Sequence, residues 1–269
     1  MNLYEAVKNV SEKSPLVHSI TNYVTVNDCA NILLAAKASP VMADDPREAA
    51  DITKIAGGLN INIGTLNEMT IKSMFISGKA ANAAGIPAVL DAVGAGASPL
   101  RTSAAAELIE KVKFSAVKGN ISEIKALMGV SAQTKGVDAA EGDSGSADDA
   151  AELAKSFSKK TGAITVITGK VDIITDGERV FKIYNGAPLM KSVTGTGCML
   201  SALLGAFLAA NKENMLEAAA AAVCMMGICG EKALARMKKE DGNSSYRNYI
   251  IDAVYNFSES DMEAAKYEL

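Results

Sequence analysis

The sequence alternates between short runs rich in β-branched residues and longer alanine-rich runs along most of its 269 residues. Glycine, proline, asparagine or aspartate marks most of the changes from one kind of run to the other. Strands that alternate with helices form a mostly parallel sheet covered by helices on both faces. The sequence therefore predicts an α/β fold, and we expect one domain over residues 1–269.

The individual elements can be assigned from composition and periodicity. The expected strands are residues 16–20, 40–42, 59–63, 88–90, 116–118, 165–168, 172–175 and 180–184. The expected helices are residues 3–11, 26–36, 48–55, 68–84, 102–112, 122–128, 147–160, 198–210, 215–237 and 246–257. The turn residues Asp176, Gly177 and Glu178 predict a small antiparallel hairpin at the end of the parallel sheet. Residues 136–149 are expected to form an exposed loop.

Composition argues against several classes of protein. Hydrophobic residues make up 49% of the chain and charged residues 22%, so a core can form without disulfides or structural metal. The net charge of -4 gives no indication of a nucleic-acid partner. Four cysteines without a C-x-x-C pair, and one histidine, argue against a zinc site. The most apolar stretches, 199–210 and 218–230, are shorter than the ~20 residues that span a bilayer, so we expect buried helices, no membrane and a cytoplasmic protein.

The strongest functional signal is the segment V-T-G-T-G-C at residues 193–198, which runs directly into an apolar helix. Glycines at such a junction allow the backbone to approach a ligand, and the first N–H groups of a helix have no internal acceptor. The segment therefore predicts an anion hole that can hold a phosphate. The alternative is a glycine-rich helix start that binds nothing. The expected anion-hole residues are Thr194, Gly195, Thr196 and Gly197.

Three other strand ends carry residues suited to the same chemistry. Asp91 ends a buried strand and precedes glycines, where an acid can hold Mg²⁺ directly or through water. Asn120 and Glu123 follow another strand and lie three residues apart, which predicts either a capping box or an acid that orders Mg²⁺. Thr168 stands at a further strand end before a glycine and could contact a nucleotide or make a turn.

Common signatures of other enzyme classes are absent from the sequence. It contains no G-x-x-x-x-G-K-[ST] motif, and no G-x-G-x-x-G follows the first strand. A Ser-His-Asp hydrolase would need His18, the single histidine, and no G-x-S-x-G motif supports that reading. His18 is therefore expected to be a structural residue.

Taken together, these residues resemble the hydroxyethylthiazole kinase family of the ribokinase-like class. The matching segments are residues 18–22, 38–43, 59–65, 90–97, 118–123, 135–138, 166–172 and 193–200. These segments occur in the family's order, whereas the C-terminal part resembles the family only in its helical character. The resemblance implies a ribokinase-like α/β fold, with a central, mostly parallel sheet. It also implies a transferase that uses ATP to phosphorylate 4-methyl-5-(2-hydroxyethyl)thiazole in thiamine salvage, as a homotrimer with active sites at subunit interfaces.

The resemblance also implies roles for individual residues. Cys198 matches the catalytic position, where many ribokinase-like relatives carry Asp. The implied thiazole contacts are Met42, Gly195 and Asn22; the implied ATP contacts are Lys118, Thr168 and Asn120; the implied acids near Mg²⁺ are Asp91 and Glu123. The sequence departs from the family's usual pattern at Ala92, commonly Pro, and at Lys118, usually Arg, which loses the planar fork for phosphate.

Two points stay open from the sequence alone. A helix N-terminus lowers the pKa of a thiol, which favours a Cys198 thiolate, but a bound triphosphate would oppose that charge; we therefore expect a modest base, or a small buried cysteine. The alternatives in the same fold are a kinase for hydroxymethylpyrimidine or pyridoxal and an ATP-dependent dehydratase of damaged nicotinamide cofactor. A non-catalytic nucleotide sensor is the alternative from another class.

Overall fold

The chain is described by a computed structural model for residues 2–129 and 146–269, together with the backbone of residues 134–135 and 138–139. The α-helices in this part of the chain are α1 (Leu3–Lys13), α2 (Val26–Ala35), α3 (Ala49–Ile55), α4 (Glu68–Ala84), α5 (Pro99–Lys111), α6 (Ile121–Leu127), α7 (Ala147–Thr161), α8 (Thr196–Ala210), α9 (Met215–Arg236), α10 (Asn243–Tyr255) and α11 (Glu259–Met262). Short 3₁₀ helices cover Pro188–Ser192 and Lys212–Asn214.

The strands form one large sheet and one small hairpin. They are β1 (Leu16–Ile20), β2 (Ser39–Val41), β3 (Gly58–Asn62), β4 (Ala88–Asp91), β5 (Ala116–Asn120), β6 (Thr134–Lys135), β7 (Asp138–Ala139), β8 (Ile164–Thr168), β9 (Asp172–Thr175), β10 (Val180–Ile183) and β11 (Tyr267–Glu268). The large sheet has the order β11-β10-β9-β8-β5-β4-β3-β1-β2, and β6 pairs with β7 separately.

Most of the large sheet is parallel. Six adjacent strands run parallel to one another, in the spatial order β2, β1, β3, β4, β5 and β8. Strand β9 is antiparallel to β8, β10 to β9 and β11 to β10. The chain moves outward from β1 to β2 and then returns to place β3 on the other side of β1. The order of the strands therefore reverses at β1, and ligands of open α/β sheets bind outside the carboxyl ends of strands at such a point.

Helices cover both faces of the sheet and bury a separate hydrophobic cluster on each. One cluster includes residues of α1, α2, α8, α9 and α10, and the other includes residues of α4, α5, α6 and α7. Twelve of the fifteen residues of α8 are buried, because this helix lies against the sheet and is covered by α9. The N-terminus of α8 is consequently held in a fixed place over the sheet.

One helical segment, Lys212–Arg236, is long and apolar enough to cross a membrane by length and composition. It is longer than the apolar stretch 218–230, whose length in the sequence falls short of a membrane span. Most of its apolar window, 78%, is buried inside the protein, so it packs as a core helix, as its composition predicted. The predicted burial of residues 199–210 is likewise confirmed.

The observed elements agree closely with those expected, with informative differences. The hairpin between β9 and β10 is confirmed, and β8 also pairs antiparallel with β9. Strand β5 continues to Asn120, and α8 begins two residues earlier than expected, at Thr196. The short elements α11 and β11 were not expected, because two to four residues carry too little periodicity. Of the expected loop 136–149, residues 136–137 and 140–145 lie outside the described part, and Ser146 already caps α7.

Candidate active site

Polar side chains from separate strands meet at one edge of the sheet. Asn22 follows β1, and Asn62, Asp91, Asn120 and Thr168 are the last residues of β3, β4, β5 and β8. Strands β1, β3, β4 and β5 are successive neighbours in the parallel part of the sheet, and β8 is next to β5. The site predicted from the strand ends therefore lies beside the point where the strand order reverses.

The N-terminus of α8 lies over this edge. Gly195 is its N-cap residue, with φ of 92°, and the first intrahelical hydrogen bond runs from the N–H of Met199 to the C=O of Gly195 at 2.8 Å. The N–H groups of Thr196, Gly197 and Cys198 precede that bond and so have no acceptor within the helix. Thr194 and Gly197 are exposed, whereas Cys198 is buried. N–H groups without a helical acceptor therefore lie at residues 196–198, and the anion-binding role of residues 194–197 stays a prediction.

Three side chains form a thiol cluster, which we define as Cys198, Asn22 and Asn62. Asn22 Nδ2 lies 3.3 Å and Asn62 Nδ2 lies 3.2 Å from Cys198 Sγ, and Asn22 Nδ2 also donates to Asn62 Oδ1 at 3.1 Å. All three residues are buried, with 7% or less of their surface exposed. The thiol therefore contacts amides from the ends of two adjacent strands.

The orientation of both amides is fixed by backbone donors. The N–H of Gly64 donates to Asn62 Oδ1 at 2.8 Å, and the N–H of Thr25 donates to Asn22 Oδ1 at 3.1 Å. A backbone N–H can only donate, so each amide oxygen must face it and each NH₂ group must face the sulfur. The Cys198 sulfur is therefore an acceptor of hydrogen bonds in this arrangement.

The Cys198 thiol is protonated at neutral pH. Burial raises its pKa above the ordinary value and the Asp91 carboxylate adds to the rise, while Lys118, Thr25 and Asn22 oppose it. This shift runs against the thiolate that a helix N-terminus favours by itself, and the modest base expected at Cys198 stays a prediction. The physical reason is that loss of solvent outweighs the favourable dipole and hydrogen bonds.

A second group, the carboxylate cluster, consists of Asp91, Lys118 and Glu123. Lys118 Nζ donates to Asp91 Oδ1 at 2.7 Å and to the C=O of Gly197 at 3.1 Å. Burial alone would lower the pKa of Lys118, but the Asp91 carboxylate, through its charge and its hydrogen bond, leads the effects that raise it. Asp91 is fully buried, and its second oxygen accepts from Asn62 Nδ2 at 2.8 Å. Asn62 thus connects the thiol cluster to the carboxylate cluster.

Glu123 forms the capping box that was one of its two sequence interpretations. Asn120 Oδ1 accepts from the N–H of Glu123 at 2.9 Å, and Glu123 Oε2 accepts from the N–H of Asn120 at 2.7 Å. Its other oxygen accepts from the N–H of Gly94 at 2.7 Å. Burial raises the pKa of Glu123 to about 7, although both backbone bonds and Lys118 act in the opposite direction.

The raised pKa of Glu123 predicts a fall in stability as pH increases. Between its ordinary pKa, 4.5, and about 7, folded Glu123 holds a proton that the unfolded chain has already lost. The free energy of unfolding should therefore decrease across this window, by at most ~1.4 kcal/mol per pH unit for this group. Urea unfolding at pH 4.5 to 7.5 should show a shallower decrease for Glu123→Gln than for the wild type.

Exposed Glu110 on α5 provides the matched control for that measurement. Glu110→Gln should keep the wild-type pH slope. Asp172 should also contribute a decrease in the free energy of unfolding as pH rises. Burial of its carboxyl raises its pKa to about 7, even though the residue keeps some exposed surface. An unchanged slope in Glu123→Gln would contradict a raised pKa at that residue.

The remaining predicted residues occupy separate positions around this edge. Met42 directly follows β2, next to β1, and packs against the hydrophobic cluster that contains Cys198. Thr168 is partly exposed at the end of β8. His18 is fully buried below the edge, where Nε2 bonds to the C=O of Ala43 at 2.8 Å and burial lowers its pKa. Its expected structural character is consistent with these contacts.

Sequence reasoning did not single out Asn62, Thr25 or Arg101. A visible signal existed for Asn62, because it interrupts the apolar run 59–63, and buried polar residues in a strand need partners. Thr25 Oγ1 donates to Asn22 Oδ1 at 3.1 Å, and Arg101 Nη2 donates to the C=O of Gly64 at 2.7 Å. No local pattern predicts these two contacts, since they depend on how separate loops pack.

Comparison with known sequences identifies close relatives. The sequence profile of the hydroxyethylthiazole kinase family matches residues 7–260. The chain is 55% identical to the hydroxyethylthiazole kinase of Clostridium acetobutylicum over 270 aligned positions, covering 99% of both chains. It is 50% identical to the enzyme of the same name from Clostridium tetani, covering 96% of this chain and 94% of the relative.

Solved structures show the same relationship. The hydroxyethylthiazole kinase of Pyrococcus horikoshii OT3 superposes with a TM-score of 0.88 at 37% identity, over 99% of this chain and 98% of the other. The pyridoxal kinase of Staphylococcus aureus in complex with ADP superposes with a TM-score of 0.61 at 16% identity, over 81% of this chain and 88% of the other. The second likeness concerns the fold alone, which is the expected ribokinase-like α/β architecture.

Proposed function

This chain belongs to the hydroxyethylthiazole kinase family, and on that premise we propose that it transfers the γ-phosphoryl group of ATP to 4-methyl-5-(2-hydroxyethyl)thiazole, in thiamine salvage. The observation that carries the proposal is the position of the α8 N-terminus. The first turn of this helix contacts the buried Asp91–Lys118 pair at the carboxyl edge of the sheet, because Lys118 donates to both Asp91 and the C=O of Gly197. A proton-handling group next to anion-binding N–H groups suits the transfer of a phosphoryl group to an alcohol.

The anion hole supplies the first part of the proposed mechanism. Phosphoryl transfer has a loose transition state, so positioning and charge stabilisation provide most of the rate enhancement. The N–H groups of Thr196, Gly197 and Cys198 would donate to the phosphoryl oxygens, where the helix dipole also favours negative charge. Lys118 contributes a buried positive charge that contacts Gly197 in the same turn.

Cys198 supplies the second part of the proposed mechanism. Its sulfur accepts from the Asn22 and Asn62 amides, so the single thiol proton points away from them. We propose that Cys198 positions the acceptor hydroxyl, whose oxygen bonds to the γ-phosphorus as the bond between that phosphorus and the leaving oxygen of ADP breaks. The thiol takes up the hydroxyl proton only late, as its own S–H proton passes to a phosphoryl oxygen. Met42, Asn22 and Gly195 would contact the thiazole. Asn22 belongs to the thiol cluster, Gly195 caps the helix that carries Cys198, and Met42 packs against the hydrophobic cluster that contains Cys198.

The nucleotide is proposed to lie along the carboxyl ends of β5 and β8. Asn120 and Thr168 pair directly between these strands, so one ligand can touch both. Lys118 lies two residues before Asn120, but its ammonium is engaged by Asp91. Because a lysine lacks the bidentate fork of arginine, we expect it to act on ATP as a point charge.

The carboxylate cluster fits a magnesium ion shared with phosphate oxygens. Each oxygen of Asp91 and Glu123 accepts one protein hydrogen bond and keeps capacity for another interaction. No cage of three or more His, Cys, Asp or Glu residues occurs in the described part of the chain, and Mg²⁺ bound to a nucleotide needs only one or two carboxylates. Held by Asp91 and Glu123, directly or through water, the ion would neutralise charge on the phosphates.

We also propose a cytoplasmic homotrimer with the site at the subunit interface. The surface next to the thiol cluster carries exposed apolar side chains, including Tyr23 at 80% and Val24 at 56% exposure. Leu100, across a neighbouring cleft, is 53% exposed. Exposed apolar groups concentrated beside a site support its burial by a second subunit. Sedimentation equilibrium should give three times the chain mass.

The test of the proposed function is acceptor-dependent ADP release. Purified protein is incubated with Mg²⁺-ATP and with hydroxyethylthiazole, hydroxymethylpyrimidine, pyridoxal or no acceptor, and ADP release is compared between these reactions. ADP that depends on the thiazole, and is lost when EDTA replaces Mg²⁺, supports the proposal. ADP formed only with another acceptor would replace the substrate and keep the chemistry. Release in none of the reactions would favour a non-catalytic protein.

Cys198→Ala should lower kcat without abolishing ATP binding. The substitution removes the proton-handling group but leaves the backbone N–H groups of the anion hole, so a loss of ~10²- to 10⁴-fold is the upper range for a general base and a smaller loss is expected here. Steady-state kinetics and calorimetric titration with an ATP analogue would measure both quantities. Cys224→Ala, at a buried thiol in α9, is the matched control and should keep the wild-type kcat.

A further inference from the structure

The loop after β3 is fastened at Gly64 from two sides. The N–H of Gly64 donates to Asn62 Oδ1 at 2.8 Å, and its C=O accepts from Arg101 Nη2 at 2.7 Å. Asn62 is also the residue whose amide donates to Cys198 Sγ. Arg101 therefore holds the outer side of a loop whose inner side is fixed by the thiol cluster.

The same guanidinium packs directly against the loop after β4. Gly94 has φ of 75°, and a Cβ placed on it would lie 2.1 Å from Arg101 Nη1 and 3.1 Å from Arg101 Cζ. Only glycine leaves room for this contact. The N–H of Gly94 donates to Glu123 Oε1 at 2.7 Å, so Arg101 covers the peptide that holds the carboxylate cluster in place.

In the part of the chain that the structure describes, the charge of Arg101 has no acidic partner. Within the residues that the structure describes, it makes no ion pair, and the cleft of about 340 Å³ that it lines contains no carboxylate. Arg101 is partly buried in the first turns of α5. A long cation that contacts two loop backbones, and no acid, is placed to fix those loops.

We propose that Arg101 is a positioning residue that couples the thiol cluster, through Gly64, to the carboxylate cluster, through Gly94. The inference rests on the proposed phosphoryl transfer, because that reaction needs the acceptor and the nucleotide held at a set distance. A guanidinium can satisfy both contacts because it carries two terminal nitrogens on a rigid plane. A lysine at this position can reach only one of them.

The test compares Arg101→Ala, Arg101→Lys and Lys111→Ala in the full chain. Lys111 is the matched control, since it lies at the far end of the same helix in an exposed ion pair with Glu107. Arg101→Ala should lower kcat/KM for the thiazole by ~10- to 100-fold, the range expected when reacting groups are displaced by up to 1 Å. Arg101→Lys should recover the KM for the thiazole but leave kcat and the KM for ATP impaired. Lys111→Ala should match the wild type.

Hydrogen–deuterium exchange separates this inference from the proposed function. Without any substrate, peptides covering residues 62–67 and 92–97 should exchange ~2- to 10-fold faster in Arg101→Ala, the factor that corresponds to one hydrogen bond. Peptides from α8 should be unchanged. If the wild-type protein did not turn over the thiazole, the proposed function would be contradicted. The exchange result would still decide whether Arg101 couples the two loops.

Two results would overturn the coupling. One is exchange in Arg101→Ala that equals the wild type in both loops. The other is full recovery of every kinetic constant by Arg101→Lys, because a single charge would then account for the role.

Discussion

Replacing Lys118 by methionine should destabilise the protein by ~3–5 kcal/mol, which is the cost of breaking a buried ion pair from one side. Lys118 is 4% exposed and Asp91 is fully buried, with their charged atoms 2.7 Å apart. In Lys118→Met the Asp91 carboxylate would keep only the amide of Asn62 as a partner. Chemical unfolding at neutral pH would measure the loss as a decrease in the free energy of unfolding.

The double variant Asp91→Asn/Lys118→Met distinguishes an unpaired charge from lost packing. Removing both charges leaves no buried ion, so the double variant should be more stable than Lys118→Met. Lys111→Met, at an exposed ion pair, should change stability by less than ~1 kcal/mol. A Lys118→Met protein as stable as the wild type would mean that the pair is solvated or absent in solution.

Gly195→Ala should reduce kcat by ~10²- to 10³-fold, the loss typical for damage to an anion-binding hole. Gly195 has φ of 92°, a conformation that L-residues with a Cβ rarely adopt. A Cβ there would also lie 2.6 Å from Thr25 Cγ2, and Thr25 holds the side chain of Asn22. The substitution should therefore displace both the helix terminus and the thiol cluster. Steady-state kinetics with saturating ATP and thiazole would measure the change.

Two further variants define the cause of that loss. Gly242→Ala is the control, because its φ is -113° and a Cβ there meets nothing within 4 Å. Adding Thr25→Ser to Gly195→Ala removes the clashing methyl group and keeps the hydroxyl. Partial recovery in the double variant would assign that share of the loss to the clash and the rest to backbone strain. A kcat within threefold of the wild type in Gly195→Ala would contradict the proposed anion hole.

Much of the architecture follows from local patterns in the sequence. Strands β1 and β9 and helix α4 have the bounds that periodicity predicted, because each is bordered by clear turn or capping residues. Asn67 caps α4 and Gly85 ends it in a left-handed conformation, so both boundaries are set within the segment. The polar strand ends and the glycine-rich start of α8 could likewise be located without a structure.

The state of the site depends on contacts between distant segments. The sequence places Cys198 at a helix N-terminus, which alone would lower its pKa. The folded protein buries the thiol beside Asp91, more than one hundred positions away, and burial dominates the balance. Lys118 similarly was expected to face a nucleotide, and the structure shows that it also neutralises Asp91.

The sequence by itself determined the α/β alternation, the helix that carries Cys198 and the edge of the sheet where the candidate site lies. These features arise from spacing within single segments, where hydrophobic period and turn residues act over a few positions. Only the tertiary structure decided which side chains meet there. The Asn62 amide reaches Cys198 from 136 positions away, and Arg101 joins loops 30 positions apart at Gly64 and Gly94. Such contacts depend on sheet order and helix packing, and these bring distant residues together without leaving a local pattern.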